Sequence, residues 1–344
     1  MQKDKTEGLI IAKDSDVRYL SGQRFEEGST ILVILPDQQF VITDNRFRNQ
    51  LEQANTGLKI VIYDRAKGLY GEAGTLLKNQ GVKQVAVPFS DIRHQDFLTL
   101  SADVRPEDAK PYVTGMRMVK DPDELGLIRK ACAISDAAFE SVLNEIHPGV
   151  TEREIANLLE FGFKKRGADG LLFDTIIASG PENGANCHAT VTDRRLEKGD
   201  LLTMDFGATY EGYGSDITRT VVLGRPSDEQ KKIYEVVKEA KKRAQDTLRA
   251  GTAVNEVAAA GVGWIEKCGY NVPHGIGHSF GFDSHEDLFI SSRDDSKLGV
   301  NMMTTLEPGI YIPGVGGVRL EDDYLIQSDG AEQLTHCRYG LLEL

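Results

Sequence analysis

Two aspartates eleven residues apart, Asp205 and Asp216, are the first residues here whose spacing could do chemistry. They lie in Leu201–Val222, LLTMDFGATYEGYGSDITRTVV, where two apolar runs flank Tyr210-Glu211-Gly212-Tyr213-Gly214. Such a pattern predicts a β-hairpin. With its tip between Tyr210 and Glu211, Asp205 falls opposite Asp216, and opposed residues on one face have Cβ atoms ~5 Å apart. Two like charges so placed destabilise a sheet unless a cation sits between them. A second hairpin repeats the device. Glu307, biased to extended backbone by Pro308, leads through Ile310-Tyr311-Ile312 to a turn centred on Gly314. Val318-Arg319-Leu320-Glu321 returns, so Glu307 faces Glu321. Between these hairpins, His274, His278 and His285 place three of the chain's seven histidines within twelve residues. The intervening glycines permit close backbone approach.

Four carboxylates and one imidazole make a hard, oxygen-rich donor set suited to Mn²⁺ or similar ions. Four negative charges balance two divalent cations. Two such ions ~3.5–4 Å apart activate water and clamp both ends of a hydrolytic transition state. A dinuclear metallohydrolase follows from these residue types and their geometry. Cys187 beside His188 offers a rival, a thiol nucleophile. Neighbours on a strand point to opposite faces, which separates that pair.

The elements that must carry these residues fall into two textures. Over residues 1–113, Leu9–Ala12, Thr30–Leu35, Gln39–Thr43, Leu58–Tyr63 and Gln84–Val87 read as strands, with helical character at Phe47–Asn55 and Leu69–Gln80. That alternation predicts a small α/β domain. Arg105–Tyr112, with Pro106 and Pro111 among charges, reads as the link to a second domain. Beyond it, helices are expected from Glu124 to Ile146, from Thr151 to Gly167, from Ser227 to Gly251 and from Asn255 to Cys268. Phe173–Ser179, Leu201–Phe206, Asp216–Val222, Met302–Leu306 and Val318–Ile326 read as strands. Helix pairs alternating with strands predict an α+β domain over residues 114–344, with no short-period repeat.

Composition bounds the function. The chain has 344 residues and a net charge of −13, so a nucleic-acid binder would need a concentrated basic face. The clusters Lys164-Lys165-Arg166 and Lys241-Lys242-Arg243 lie on amphipathic helices and read as solvated faces. Apolar runs such as Ile31–Leu35 fall far short of the ~20 residues of a membrane helix. The charged start, MQKDKTEG, precedes only four apolar residues, so no secretory signal is expected. Four isolated cysteines, Cys132, Cys187, Cys268 and Cys337, suit reduced thiols and a cytoplasmic setting.

MDFGATYEGYGSDITRT, HGIGHSFGFDSHE, TLEPGIYIPG and GVRLEDD resemble the metallopeptidase family that contains methionine aminopeptidase, aminopeptidase P and prolidase. The likeness runs from about Arg117 to the end. The preceding residues resemble the creatinase-type N-terminal domain, which methionine aminopeptidases lack and Xaa-Pro peptidases carry. The resemblance implies an α+β pita-bread catalytic domain after a small creatinase-type α/β domain. It implies metal ligands at Asp205, Asp216, His278, Glu307 and Glu321, with Asp216 and Glu321 bridging two divalent ions. Manganese is the expected ion, with cobalt, zinc and iron as alternatives. Glu307 would shuttle a proton and His285 would steady the carbonyl oxygen. His188, seventeen residues before Asp205, would act with them, and His188, His274, His285 and Arg319 would bind substrate. For Arg319 two roles stay open: pairing with the product-side carboxylate, or holding a metal carboxylate. The substrate implied is a proline-containing di- or oligopeptide cleaved before proline, with dipeptidase favoured over aminopeptidase P, by a homodimer. Alternatives are a metal-free peptide-binding module or a creatinase-like amidinohydrolase. Ser279-Phe280 stand after His278 where the family commonly has small residues, which predicts a reshaped pocket wall.

Overall fold

The computed structural model describes residues 7–110 and 112–344, so the first six residues of the charged start and Pro111 lie outside the described residues. The chain divides into two compact units, Met1–Gly115 and Met116–Leu344. The first holds a six-stranded mixed sheet. Its spatial order is Lys59–Ile62, Gln39–Thr43, Ile31–Ile34, Leu9–Ile11, Gln84–Val87 and Arg105–Asp108. The central Leu9–Ile11 strand is antiparallel to Ile31–Ile34 and parallel to Gln84–Val87. Ile10, Val33, Ile42 and Val85, all buried, pack against Ala73 and Leu77 of the Gly68–Asn79 helix.

Two differences from the sequence reading are instructive. Arg105–Asp108, read as linker, is the sixth strand, pairing in parallel with Gln84–Val87. Pro106 cannot donate to a ladder, and an outermost position is where a sheet tolerates it. Two helices, Asp14–Ser21 and His94–Ser101, were not anticipated. Each is eight residues long, too short for a clear apolar period.

The second unit builds its helices on side-chain caps. Asp121 with Glu124, Thr151 with Glu154 and Ser227 with Gln230 form capping boxes opening Pro122–Val142, Glu152–Lys165 and Asp228–Gln245. Val254–Lys267 follows and ends before Gly269, at φ 87°. The first helix pair covers a three-stranded antiparallel sheet of Ile176–Ser179, Leu201–Phe206 and Ile217–Val222. Phe206 fills the interface, stacking on Phe139 at 5.7 Å and on Phe163 at 6.1 Å. Met303–Leu306 pairs with Asp322–Ile326, and Gly309–Ile312 with Gly316–Arg319. Among the described residues no helix is long and apolar enough to cross a membrane.

Candidate metal centre

The two hairpins behave differently at their tips. In the first, Tyr210 pairs with Tyr213, so the turn is Glu211-Gly212, with φ of 48° and 94°. Positive φ at both positions suits a two-residue turn whose twist matches the strands. The tip thus lies one residue later than expected. Asp205 pairs with Thr218 rather than Asp216. Because side chains alternate with period two, this correction keeps both aspartates on one face, now as diagonal neighbours. The second hairpin has the expected register, Gly309 with Arg319 and Ile312 with Gly316, centred on Gly314. Its continuation brings Glu307 level with Glu321, where the returning strand breaks between Arg319 and Asp322.

One cavity of about 720 Å³ is lined by Asp205, Asp216, His278, Glu307 and Glu321, and also by His188, His274, His285 and Arg319. Ligand atoms of Asp216, His278 and Glu321 all lie within 4.8 Å of one another. His278 Nε2 stands 3.6 Å from Asp216 Oδ2 and 3.5 Å from Glu307 Oε1. Its Nδ1 faces the Ser279 carbonyl at 3.3 Å, a contact that assigns the proton to Nδ1 and leaves the Nε2 lone pair facing the carboxylates. Burial, with His285 adding to it, depresses His278 to about 3, so its ring is neutral.

The electrostatics ask for cations. Burial first, then Glu321, Asp205, Asp323 and Glu307, pushes Asp216 well above the usual carboxylate range. Burial and Glu321 do the same to Glu307. Burial and Asp205 raise Glu321 to about 7. Asp205 Oδ1 is buried with no hydrogen-bond partner among the described residues. Like charges this close, with an orphaned carboxylate oxygen and a neutral imidazole lone pair, fit divalent cations chemically. The donor set matches hard, oxygen-preferring ions.

Arg319 is committed within the protein. It donates from Nη2 to Asp205 Oδ2 at 2.6 Å, from Nε to Thr218 Oγ1 at 3.1 Å, and from Nη1 to the Tyr311 hydroxyl and the Cys187 carbonyl. Thr218 Oγ1 in turn donates to Glu321 Oε2 at 2.7 Å. Arg319 therefore orients carboxylates from both hairpins. These contacts are those expected of an arginine that holds a metal carboxylate. Cys187 and His188 lie in a loop rather than a strand, and both line the cavity. Strand alternation therefore does not separate them, although among the described residues no base is bonded to the thiol. Ser279 and Phe280 are both buried and do not line the cavity; Phe280 packs with Ile128 and Met303.

Tyr311 was missed. Its hydroxyl joins Arg319 Nη1 at 2.8 Å to His274 Nε2 at 2.9 Å. The signal was present: Tyr311 pairs with Gly317, two residues before Arg319, so period two puts both side chains on one face. Asp323 was missed too, fully buried beneath the site and accepting the Asp216 N–H at 3.0 Å.

Comparison with known proteins points the same way. Residues 126–328 match metallopeptidase family M24, and residues 1–119 match the Creatinase/Prolidase N-terminal domain. A Pyrococcus horikoshii protein named Xaa-Pro dipeptidase is 35% identical, over 99% of this chain and 96% of its own. The solved Xaa-Pro dipeptidase from Bacillus anthracis superposes with a TM-score of 0.94 at 33% identity, covering 100% of this chain and 96% of that one. The X-Pro aminopeptidase from Thermotoga maritima does so at 0.89, also with 33% identity, over 100% and 99%.

Proposed function

The chain belongs to metallopeptidase family M24, and from that premise we propose that it hydrolyses the bond between an N-terminal residue and a following proline, dipeptides being its main substrates. The observation that carries the reading is the convergence of Asp205, Asp216, His278, Glu307 and Glu321 on one cavity, with three of the carboxylates pushed up by burial and by one another. Relatives named Xaa-Pro dipeptidase support the choice of substrate.

Those five residues would hold two divalent ions, manganese by preference. The ions supply an activated water and offset charge developing on the scissile carbonyl. The protein does the rest. Glu307 passes a proton to the leaving proline nitrogen. His285 donates to the carbonyl oxygen as it gains charge. His188 and His274 bracket the substrate, while Phe173, Ile176, Val191 and Phe289 line the same cavity and give a pyrrolidine ring apolar walls. Arg319 orients Asp205 rather than pairing with substrate. The reading extends to a homodimer in the cytoplasm, and the four unpaired cysteines suit a reducing compartment.

The test is turnover after metal removal and reloading with manganese. Xaa-Pro dipeptide, Xaa-Pro-Yaa tripeptide and an Xaa-Ala control are compared. Hydrolysis of the first, with the control spared, is expected. A manganese-loaded protein that leaves both proline substrates intact refutes the proposal.

A further inference from the structure

His285 comes seven residues after His278, yet their rings stack with centroids 3.9 Å apart. The chain between them folds back on itself. Ser279 N–H donates to the Leu288 carbonyl and Glu286 N–H to the Ser279 carbonyl, each at 2.8 Å. Those bonds close the neck of the loop. Its crown, carrying His285, is held by something else.

Glu286 adjoins His285 and turns the other way, into the interior. Its residue is 6% exposed, and Arg117 and Lys120 are 3% and 2% exposed. Arg117 Nη2 donates to Glu286 Oε1 at 2.7 Å, and Lys120 Nζ to Oε2 at 2.9 Å. Arg117 also reaches Asp283 Oδ2 at 2.9 Å. Two cations thus meet two carboxylates, and both carboxylates belong to the His285 loop. The cations are anchored in turn. Lys120 N–H donates to the Asn301 carbonyl at 2.9 Å, and its ammonium to the Arg117 carbonyl. The Arg117 guanidinium lies over Phe282, which packs on Tyr213. Gly281 makes room for the cluster: a Cβ there would sit 2.9 Å from Glu286 Oε1 and 3.1 Å from Lys120 Nζ.

We propose that Glu286 is a positioning residue for His285. Gripped by Lys120 and Arg117, it fixes the backbone beside His285 and so sets that imidazole against His278 in the cavity. The inference rests on the reading of His285 as the donor to the substrate carbonyl. A shift of ~1 Å in such a group can cost ~100-fold in rate.

The alternative is a cluster that stabilises the fold and nothing more. Glu286→Gln, Lys120→Met and the double variant separate the two. The double variant keeps charge balance, since Arg117 still pairs with Asp283, so its melting temperature should recover relative to either single change. Positioning predicts that kcat on an Xaa-Pro dipeptide stays down ~10–100-fold in Glu286→Gln and in the double variant, with KM and manganese content near wild type. Amide exchange at Gly281 and Glu286 should quicken at least ~10-fold as the loop loosens. In a His285→Ala background, Glu286→Gln should cost no further kcat, because its effect passes through the missing ring. Additive losses in that cycle, or a kcat that recovers together with the melting temperature, overturn the proposal. If wild-type protein cleaves no Xaa-Pro peptide, the parent reading falls. Exchange unchanged by Glu286→Gln removes the tether itself.

Discussion

Asp216→Asn should leave the metal-free protein as stable as wild type, or more so, and abolish its stabilisation by manganese. Asp216 is the informative ligand to change, because Asp205 also anchors Arg319 and its loss would strand a buried guanidinium. Without metal, Asp216 sits among Glu321, Asp205, Asp323 and Glu307, each of which opposes its ionisation. The scale of the strain shows at Glu321, whose carboxyl moves from 4.5 to about 7. At ~1.4 kcal/mol per pKa unit, ionising that one group at pH 8 costs the metal-free fold on the order of 3 kcal/mol. The asparagine takes out of the cluster a second carboxyl whose ionisation Glu321 opposes. Binding works in the opposite direction: manganese at 100 times its Kd stabilises wild type by ~2.7 kcal/mol. For a unit of this size that is a rise of roughly 5–10 °C in melting temperature. The order of the two proteins should therefore cross. In EDTA the variant melts at or above wild type; in manganese it melts well below. Scanning calorimetry of both, across a manganese titration, reads the crossing. A variant markedly weaker than wild type in EDTA, or equally stabilised by manganese, refutes the charge-repulsion argument.

Three further outcomes rest on the same geometry. EDTA-treated wild type should lose stability as pH rises: Glu321 is raised on folding, so its contribution is complete below about 4.5 and lost on passing about 7. Manganese should flatten that slope, and melting temperatures from pH 5 to 8 with and without metal would show it. Arg319→Ala should reduce kcat/KM on a dipeptide and on a tripeptide amide by the same factor, roughly 100-fold, since the arginine acts through Asp205; damage confined to the dipeptide would restore a carboxylate-binding role. His285→Ala should keep its metals and lose ~10²–10³-fold in kcat, as for one lost oxyanion donor, whereas metal loss measured by elemental analysis would make His285 a ligand.

Much of the site was legible because its logic is periodic. Glu307 and Glu321 could be set level from one turn residue, Gly314, and the observed register agrees. The Asp205 hairpin was misplaced by one residue at the tip because Glu211, a non-glycine, takes a positive φ that composition does not announce. The error was harmless to the face and fatal to the exact pairing. What stayed hidden depended on contacts between segments distant in sequence. Arg319 reaches the Cys187 carbonyl across 132 positions, and Lys120 reaches Glu286 across 166. In the first unit, Arg105–Asp108 was lost for another reason: an outer strand with one neighbour needs little apolar content, so charge and proline imitate a linker.

The returning strand shows how one stretch of sequence separates structural carboxylates from those left for a cation. Glu321 and Asp322 are adjacent and buried, but face opposite ways. On one side, Arg219 Nη2 donates to Asp322 Oδ1 at 2.6 Å and Lys241 Nζ to Oδ2 at 2.5 Å. Burial works against ionisation there, yet those two cations outweigh it and hold Asp322 below its ordinary value. On the other side, burial and Asp205 drive Glu321 up. Arg219 also bonds the Glu321 carbonyl at 2.5 Å and the Thr218 carbonyl at 3.1 Å, filling the gap where the ladder breaks. The chain thus supplies its own countercharge to Asp322 through residues of the neighbouring strand and the Asp228–Gln245 helix. At Glu321 it supplies one guanidinium, already engaged with Asp205. Residue type cannot tell these two carboxylates apart. The direction in which the fold moves each one can: Asp322 is held down by its two cations, while Glu321 is driven up and left short of positive charge.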